Sequence, residues 1–270
     1  MLKLKKTGSE VTKQMLYYEQ VMPVSAQRHR DWALEPRADF EFAGHSNSVP
    51  LAAVEFPAAA AEYAIVFAGA EGAVSPVVVL GLKADENLYL DDSNRWSAKY
   101  IPAFVRRYPF VFSKNEEGST FTLCIDEKYS GWNQEGRGKN LFDSKGEGTE
   151  YLKKVLNFVQ GYQRDFIQTQ AFCRKLEELG LLSPMAARFK LPSGKKGQLT
   201  GFMAIDREKL NALPGDRLAE MAKSGMLELM YVHLQSLRNL ERVLIRNKGN
   251  ELGSDAWNEL ADSSSEKNMH

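Results

Sequence analysis

The chain has little of what usually announces a mechanism. In 270 residues there are two cysteines, four histidines and no net charge, 35 lysines and arginines standing against 35 aspartates and glutamates. Cys124 and Cys173 form no Cys-x-x-Cys pair, and His29, His45, His233 and His270 share no ligand spacing. Neither a metal centre nor a cofactor is therefore expected. Balanced charge supplies no field that would gather the chain on nucleic acid or anionic lipid, so no nucleic-acid partner is expected. The most apolar stretches, Ala58 to Ala70 and Pro76 to Leu82, are too short or too interrupted for a transmembrane segment of roughly 20 apolar residues. The basic start, Met1 to Lys6, runs into polar residues from Thr7 to Thr12 where a secretory signal needs an apolar core. A soluble, cytoplasmic protein with two buried, reduced thiols is the expectation.

Signature motifs are missing as well. No Gly-x-Ser-x-Gly elbow is present, which argues against an α/β-hydrolase. Glu135-Gly136-Arg137-Gly138-Lys139-Asn140 lacks Gly-Lys-Ser/Thr and does not join a strand tightly to a helix. Neither a phosphate-cradling loop nor a dinucleotide fingerprint is predicted there.

What is present is ordinary globular composition, 43% hydrophobic and 26% charged, with no linker to force a division. We expect one domain over residues 1–247, residues 1–14 being a flexible arm, and a polar, frayed tail over 248–270. The fold class is α+β: a mostly antiparallel sheet in the N-terminal half, packed with long helices from the C-terminal half. Strand signals recur at hairpin spacing, at Val49 to Val54, Tyr63 to Ala68, Val77 to Leu82, Asn87 to Asp91, Pro109 to Ser113 and Phe121 to Asp126. Connections this short join antiparallel neighbours. Before them, residues 1–50 read as irregular, and residues 128–148 read as a glycine-bearing loop. A helix of about 30 residues should start at a Thr149 cap and stop at Gly180 and Pro184. A hairpin should cross Pro192 to Gly197, short helices should be capped by Asp206 and Asp216, and a last helix should begin near Gly225. In that helix His233 shares the buried stripe of Met226, Met230, Leu237, Leu240 and Leu244. It is read as a hydrogen-bonded core histidine rather than a catalytic base.

The densest unusual chemistry lies between Trp96 and Phe110, where Arg106 and Arg107 sit among aromatic residues and prolines. Guanidinium stacks and donates in pairs, so this surface could read a carboxylate or phosphate. The plainer reading puts one arginine in a structural salt bridge, with Asp126 or Glu127, and the other in water. Ligand-binding candidates are Trp96, Tyr100, Arg106, Arg107, Asp126, Glu127 and His29.

The run Trp96-x3-Tyr100-Ile-Pro-Ala-Phe-Val-Arg-Arg-Tyr-Pro-Phe110 resembles the hallmark of the SapC family. Cys124-Ile-Asp-Glu127 and Leu141-Phe142 follow as that pattern requires. Val21-Met-Pro-Val-Ser25 with Arg28-His29, Val49-Pro-Leu51 with Glu55-Phe56, Ile65-Val-Phe67, Leu80-Gly81 with Asn87, and His233-Leu-x-Ser-Leu237 agree, from about residue 15 to 245. The resemblance implies a possible surface-layer association, from which the family takes its name. It brings no reaction, cofactor or catalytic residue set, and the label of transporter permease sometimes given to such proteins does not suit a chain without an apolar span. The preferred function is a non-catalytic binding or accessory protein, with an unknown protein partner or a small anionic ligand. The alternative is an enzyme acting on an anionic small molecule or peptide by general acid/base chemistry, with His29, Arg106, Arg107, Asp126 and Glu127 meeting in one cleft.

Overall fold

The computed structural model describes residues 15–114, 121–190 and 196–247. The expected N-terminal arm and C-terminal tail, the turn at 115–119 and most of the hairpin turn at 192–197 lie outside the described residues.

The α+β class and antiparallel pairing are as expected, but among the described residues the strands distribute over three sheets. The largest has five strands in the order β10-β11-β4-β5-β3: β3 is Ser48–Pro50, β4 Ile65–Ala68, β5 Ser75–Val79, β10 Leu182–Lys190 and β11 Lys196–Ile205. The strands that spacing assigns to one N-terminal sheet are thus completed by a C-terminal hairpin. Its inner strand β11 registers with β4 at Met203↔Phe67. The hairpin ladder shifts between Met185 and Ala187, opposite Gly201, whose φ of +87° suits a residue without a side chain. The β6–β7 hairpin, Phe110–Lys114 and Phe121–Asp126, leaves that sheet and pairs instead with β1, Val21–Pro23. A third small sheet sets β2, Ala33–Leu34, between β8, Trp132–Asn133, and β9, Lys139–Asn140. Two expectations are corrected here: the described part of residues 1–50 gives one strand to each of these sheets, and the 128–148 loop is braced by the third.

Two further corrections have local causes. No strand forms over 87–91. Asn87 accepts the Tyr89 N–H and donates to Ala43 O, and Asp91 accepts the N–H groups of Ser93 and Arg95, so side chains take up the backbone donors in turns. Only Leu90 bridges, to Trp96. Similarly the strand expected to reach Val54 stops at Pro50, and Ala53–Glu55 becomes a 3-10 turn. The Glu55 carboxylate accepts the Ala52 N–H at 2.8 Å and the Thr169 hydroxyl accepts that of Ala53 at 2.8 Å, so neither group is available to a ladder.

The short helices α1, Ala26–His29, α2, Phe56–Ala59, and α3, Ala103–Arg106, precede the long α4, Glu150–Glu178. Thr149 caps α4, accepting the Leu152 N–H. At its other end Gly180, with φ +64°, donates to Glu177 O while Leu181 donates to Leu176 O. That pair of bonds is the glycine-terminated stop the sequence suggests, and Leu181 and Leu176 are both buried beside it. At about 1.5 Å per residue α4 is ~43 Å long, enough to serve both apolar clusters. Leu152 and Val159 pack in the smaller one with Phe110, Ile125 and Leu141, whereas Tyr162, Phe172 and Leu176 belong to the larger. Pro184 lies within β10, an edge strand, where its missing N–H costs the ladder little.

The C-terminal helices are α5, Arg207–Asn211, α6, Gly215–Lys223, α7, Met226–Ser236, and α8, Leu240–Arg246. Asp206 caps α5, accepting the N–H groups of Glu208 and Lys209. Asp216 does not cap α6, which starts one residue earlier behind Pro214. The last helix breaks into a 3-10 turn at Leu237–Asn239 before α8. Three polar side chains spaced by three line its inner side. His233 Nε2 accepts the Ile205 N–H at 3.1 Å, Ser236 Oγ accepts the Ile65 N–H at 3.0 Å, and the Asn239 amide donates to Ala60 O and Tyr63 O. The His233 ring is fully buried against Phe67, and burial pushes its pKa down to about 4, with the Ile65 backbone pulling weakly the other way. Both cysteines are buried and unpaired, and burial pushes the Cys173 thiol up to about 12.

The depressed His233 pKa makes a signed prediction. Between pH 6.5 and about 4 the unfolded chain binds the proton that the folded chain refuses, so stability falls as pH falls across that window, by roughly 3 kcal/mol in all. Urea melts at pH 7 and 4.5 should show the loss in the wild type. They should show less of it in His233→Ala, which starts ~1–3 kcal/mol less stable because the Ile205 donor is stranded.

Candidate functional site

The segment from Trp96 to Phe110 is held down by its own candidate residues. Trp96 Nε1 donates to the Tyr63 hydroxyl at 2.7 Å, and that hydroxyl donates to the carbonyl of Tyr100. The backbone N–H groups of Lys99 and Tyr100 donate to the Glu62 carboxylate. Glu55, buried at 6% exposure, accepts from the Tyr100 hydroxyl and from the Ala103 N–H, each at 2.7 Å. Burial first, and then the Glu55 hydrogen bond and charge, drive the Tyr100 pKa above the usual phenol range. Trp96 and Tyr100 are engaged in fixing the loop that launches α3.

Adjacent residues on a helix point about 100° apart, so the Arg106–Arg107 pair at the end of α3 cannot share an environment. Arg107 turns inward to 2% exposure. Its guanidinium lies 4.5 Å from the Phe104 ring centre, 4.8 Å from that of Tyr162 and 6.0 Å from that of Tyr18, and cation–π attraction offsets part of its desolvation. Arg106 turns outward and is exposed. Its Nε donates back to Ile101 O at 2.8 Å, and its guanidinium is framed by the rings of Tyr100 at 5.8 Å and Phe158 at 5.2 Å. The terminal nitrogens of Arg106 have no carboxylate partner among the described residues; the exposed guanidinium sits within reach of the Tyr100 hydroxyl, beside its two rings.

Asp126, Glu127 and His29 form a second group where β1, α1 and the end of β7 meet. Asp126 has no exposed surface. One of its oxygens accepts the N–H groups of Gln20 and Lys128, and the other accepts the N–H of Glu19 and the hydroxyl of Tyr108. Glu127 accepts from Arg28 Nε and Nη2, from Gln20 Nε2 at 2.9 Å and from His29 Nε2 at 3.0 Å. Arg28, ahead of His29, holds its carboxyl below the usual carboxylate range. The His29 ring is wholly enclosed, and its Nδ1 accepts the Ser25 N–H at 3.2 Å. The hydrogen therefore sits on Nε2 and points at Glu127. An imidazole–carboxylate pair can shuttle protons in principle, but both ring nitrogens are occupied here and no face of the ring reaches solvent.

The carboxylates of Asp126 and Glu127 are thus taken up by the donors just named rather than by Arg106. The seven candidates fall into two groups linked through Tyr108, which belongs to the segment and donates to Asp126. Sequence reasoning did not single out Glu55, Glu62, Arg28 or Phe158 as members. Glu55 carried a readable signal, an acid three residues after Ala52 in an otherwise apolar run, which is the spacing at which a carboxylate returns to the start of a helical turn. Phe158 carried none, since only tertiary packing brings α4 beside α3.

No helix among the described residues is long and apolar enough to cross a membrane. Residues 24–243 match the SapC family model. No curated protein and no solved structure matches the chain significantly. The chain belongs to the SapC family, and the segments that suggested it include those that build both groups.

The two acids should separate on substitution. Asp126→Asn exchanges an acceptor pair for an amide that faces buried N–H donors, and should lower stability by at least about 2 kcal/mol. Glu127→Gln keeps an oxygen for His29, gives up the Gln20 bond and a pair with the exposed Arg28, and should cost less than Asp126→Asn because exposed ion pairs contribute little. Chemical denaturation of both variants checks the order, and a larger loss in Glu127→Gln would contradict it.

Proposed function

We propose that this SapC family member is a non-catalytic binding or accessory protein of the cytoplasm, and that it reads an anionic group on its partner through Arg106. In this reading residues 1–247 act as one domain, since α4 contributes to both apolar clusters. The observation that carries the reading is the asymmetry of the arginine pair. One guanidinium is buried among rings, and its neighbour is exposed beside the rings of Tyr100 and Phe158. Guanidinium in such a frame suits a carboxylate or phosphate, which it can grip through two parallel bonds. The two unpaired thiols suit a reducing compartment. A surface-layer association, as the family's name has it, would fit a protein partner better than a small substrate.

Catalysis is the weaker reading because its acid/base groups are enclosed. His29 and Asp126 have no exposed surface, and the hydrogen-bonding atoms of both are engaged within the chain. A general base must come within hydrogen-bond reach of the proton it takes.

Arg106→Ala should leave the melting temperature nearly unchanged, as exposed substitutions do, within about 0.5 kcal/mol. Titrating a panel of acidic and phosphorylated peptides by fluorescence anisotropy should reveal binding to the wild type and roughly tenfold or greater weakening in Arg106→Ala, the worth of one charge-assisted pair. Equal binding by both proteins would overturn the assignment.

A further inference from the structure

Gly161 stands in the middle of α4, where glycine weakens a helix relative to alanine. The helix continues through it without interruption, and no left-handed φ requires a glycine. Nor does packing require one. A Cβ built at this position would meet only the Nη2 of Arg164 on the same helix, at an ordinary 3.8 Å. Among the described residues, nothing in the backbone or the core explains the missing side chain.

The surroundings of Gly161 supply a reason. Lys154, Phe158, Gly161 and Asp165 recur at spacings of four, three and four, so they share one stripe of the helix. Phe158 is the ring against which Arg106 rests, which places the bare turn at Gly161 next to the outward guanidinium. Arg164 lies over its other side. Lys154 and Arg164 are exposed and have no ion-pair partner among the described residues. Against these three cations the stripe carries one half-buried acid, Asp165, while Glu150 one turn back is paired with Lys153 at 2.7 Å. The surface is thus a positively charged shelf with an aromatic step and a stretch of helix without a side chain.

We propose that this shelf is the docking site of an acidic polypeptide segment, with a carboxylate at Arg106, another acid at Arg164 and the main chain of the segment lying close over Gly161. Charge complementarity selects the acidic partner, and the missing side chain allows a polypeptide backbone to approach. The inference rests on the preceding reading of Arg106 and extends it from a single anion to an extended partner.

The test uses fluorescein-labelled acidic peptides of about twelve residues, their counterparts with Gln and Asn in place of every acid, and inorganic phosphate as competitor. Gly161→Ala should melt higher than the wild type, because alanine fits the free helix and favours it, and should nonetheless bind the acidic peptides about fivefold or more weakly. Gly161→Leu should weaken them further, and Arg164→Gln should weaken them and flatten the salt dependence. The neutral peptides should not bind. If Gly161→Ala melts higher and binds like the wild type while Arg106→Ala loses binding, the shelf is refuted and the Arg106 reading survives. If phosphate displaces the peptides at concentrations where the Gly161 variants behave as wild type, the site takes a free anion and the polypeptide inference falls. If the wild type binds no acidic peptide, both readings fall.

Discussion

Backbone donors buried at the ends of strands must find acceptors, and in this protein side chains from the last helical segment supply them. The N–H of Ile205 ends on His233 and that of Ile65 ends on Ser236, while the carbonyls of Ala60 and Tyr63 receive Asn239. An unsatisfied buried amide costs about 1–3 kcal/mol, so these bonds decide where α7 can sit and which strands can be neighbours beneath it. The same logic recurs at Asp126, whose carboxylate gathers the N–H groups of Glu19, Gln20 and Lys128 and so fixes β1 beside β7. Polar side chains do in this fold what longer ladders do in a regular sheet.

That dependence explains which parts of the fold could be read from sequence. Elements governed by local rules are legible: α4 runs between its Thr149 cap and the Gly180 stop, the β6–β7 and β10–β11 hairpins form, and α5 begins at Asp206. His233 is legible as a core residue because it falls on the apolar stripe. Sheet membership is another matter. Nothing in the strand patterns of β5 and β6 says that the chain changes sheets between them, since the β6–β7 hairpin is held beside β1 by bonds from residues remote in sequence, the Tyr18 hydroxyl donating to Phe110 O and the Glu19 and Gln20 N–H groups to Asp126. The expected strand at 87–91 fails for a reason present in its own residues, as Asn87 and Asp91 bond the nearby backbone more readily than a ladder can.

The candidate site divides along the same line. The segment from Trp96 to Phe110 is conspicuous because its residue types are costly to enclose, and the structure shows how the cost is met: Arg107 goes among rings and Arg106 goes outside. That the two would part follows from helical geometry once α3 is known to contain Arg106. The roles of Asp126 and Glu127 could not be read, because their partners Glu19, Gln20 and Arg28 lie about a hundred residues away in an N-terminal region whose sequence has weak periodicity. Phe158 and Gly161 gained meaning only when α4 was placed against α3.

The central strand β4, Ile65–Ala68, is made early in synthesis, yet its neighbour β11, Lys196–Ile205, and the helix that caps both, Met226–Ser236, are encoded much later. A nascent chain therefore carries Ile65, Val66 and Phe67 with one side of the strand unpaired until β11 has been translated, and the Ile65 N–H without its acceptor until Ser236 has been. Contacts of such long range slow folding and prolong the exposure of sticky edges. A chain cut short before α7 should therefore be prone to aggregate, although it would already contain every residue of the Arg106 surface.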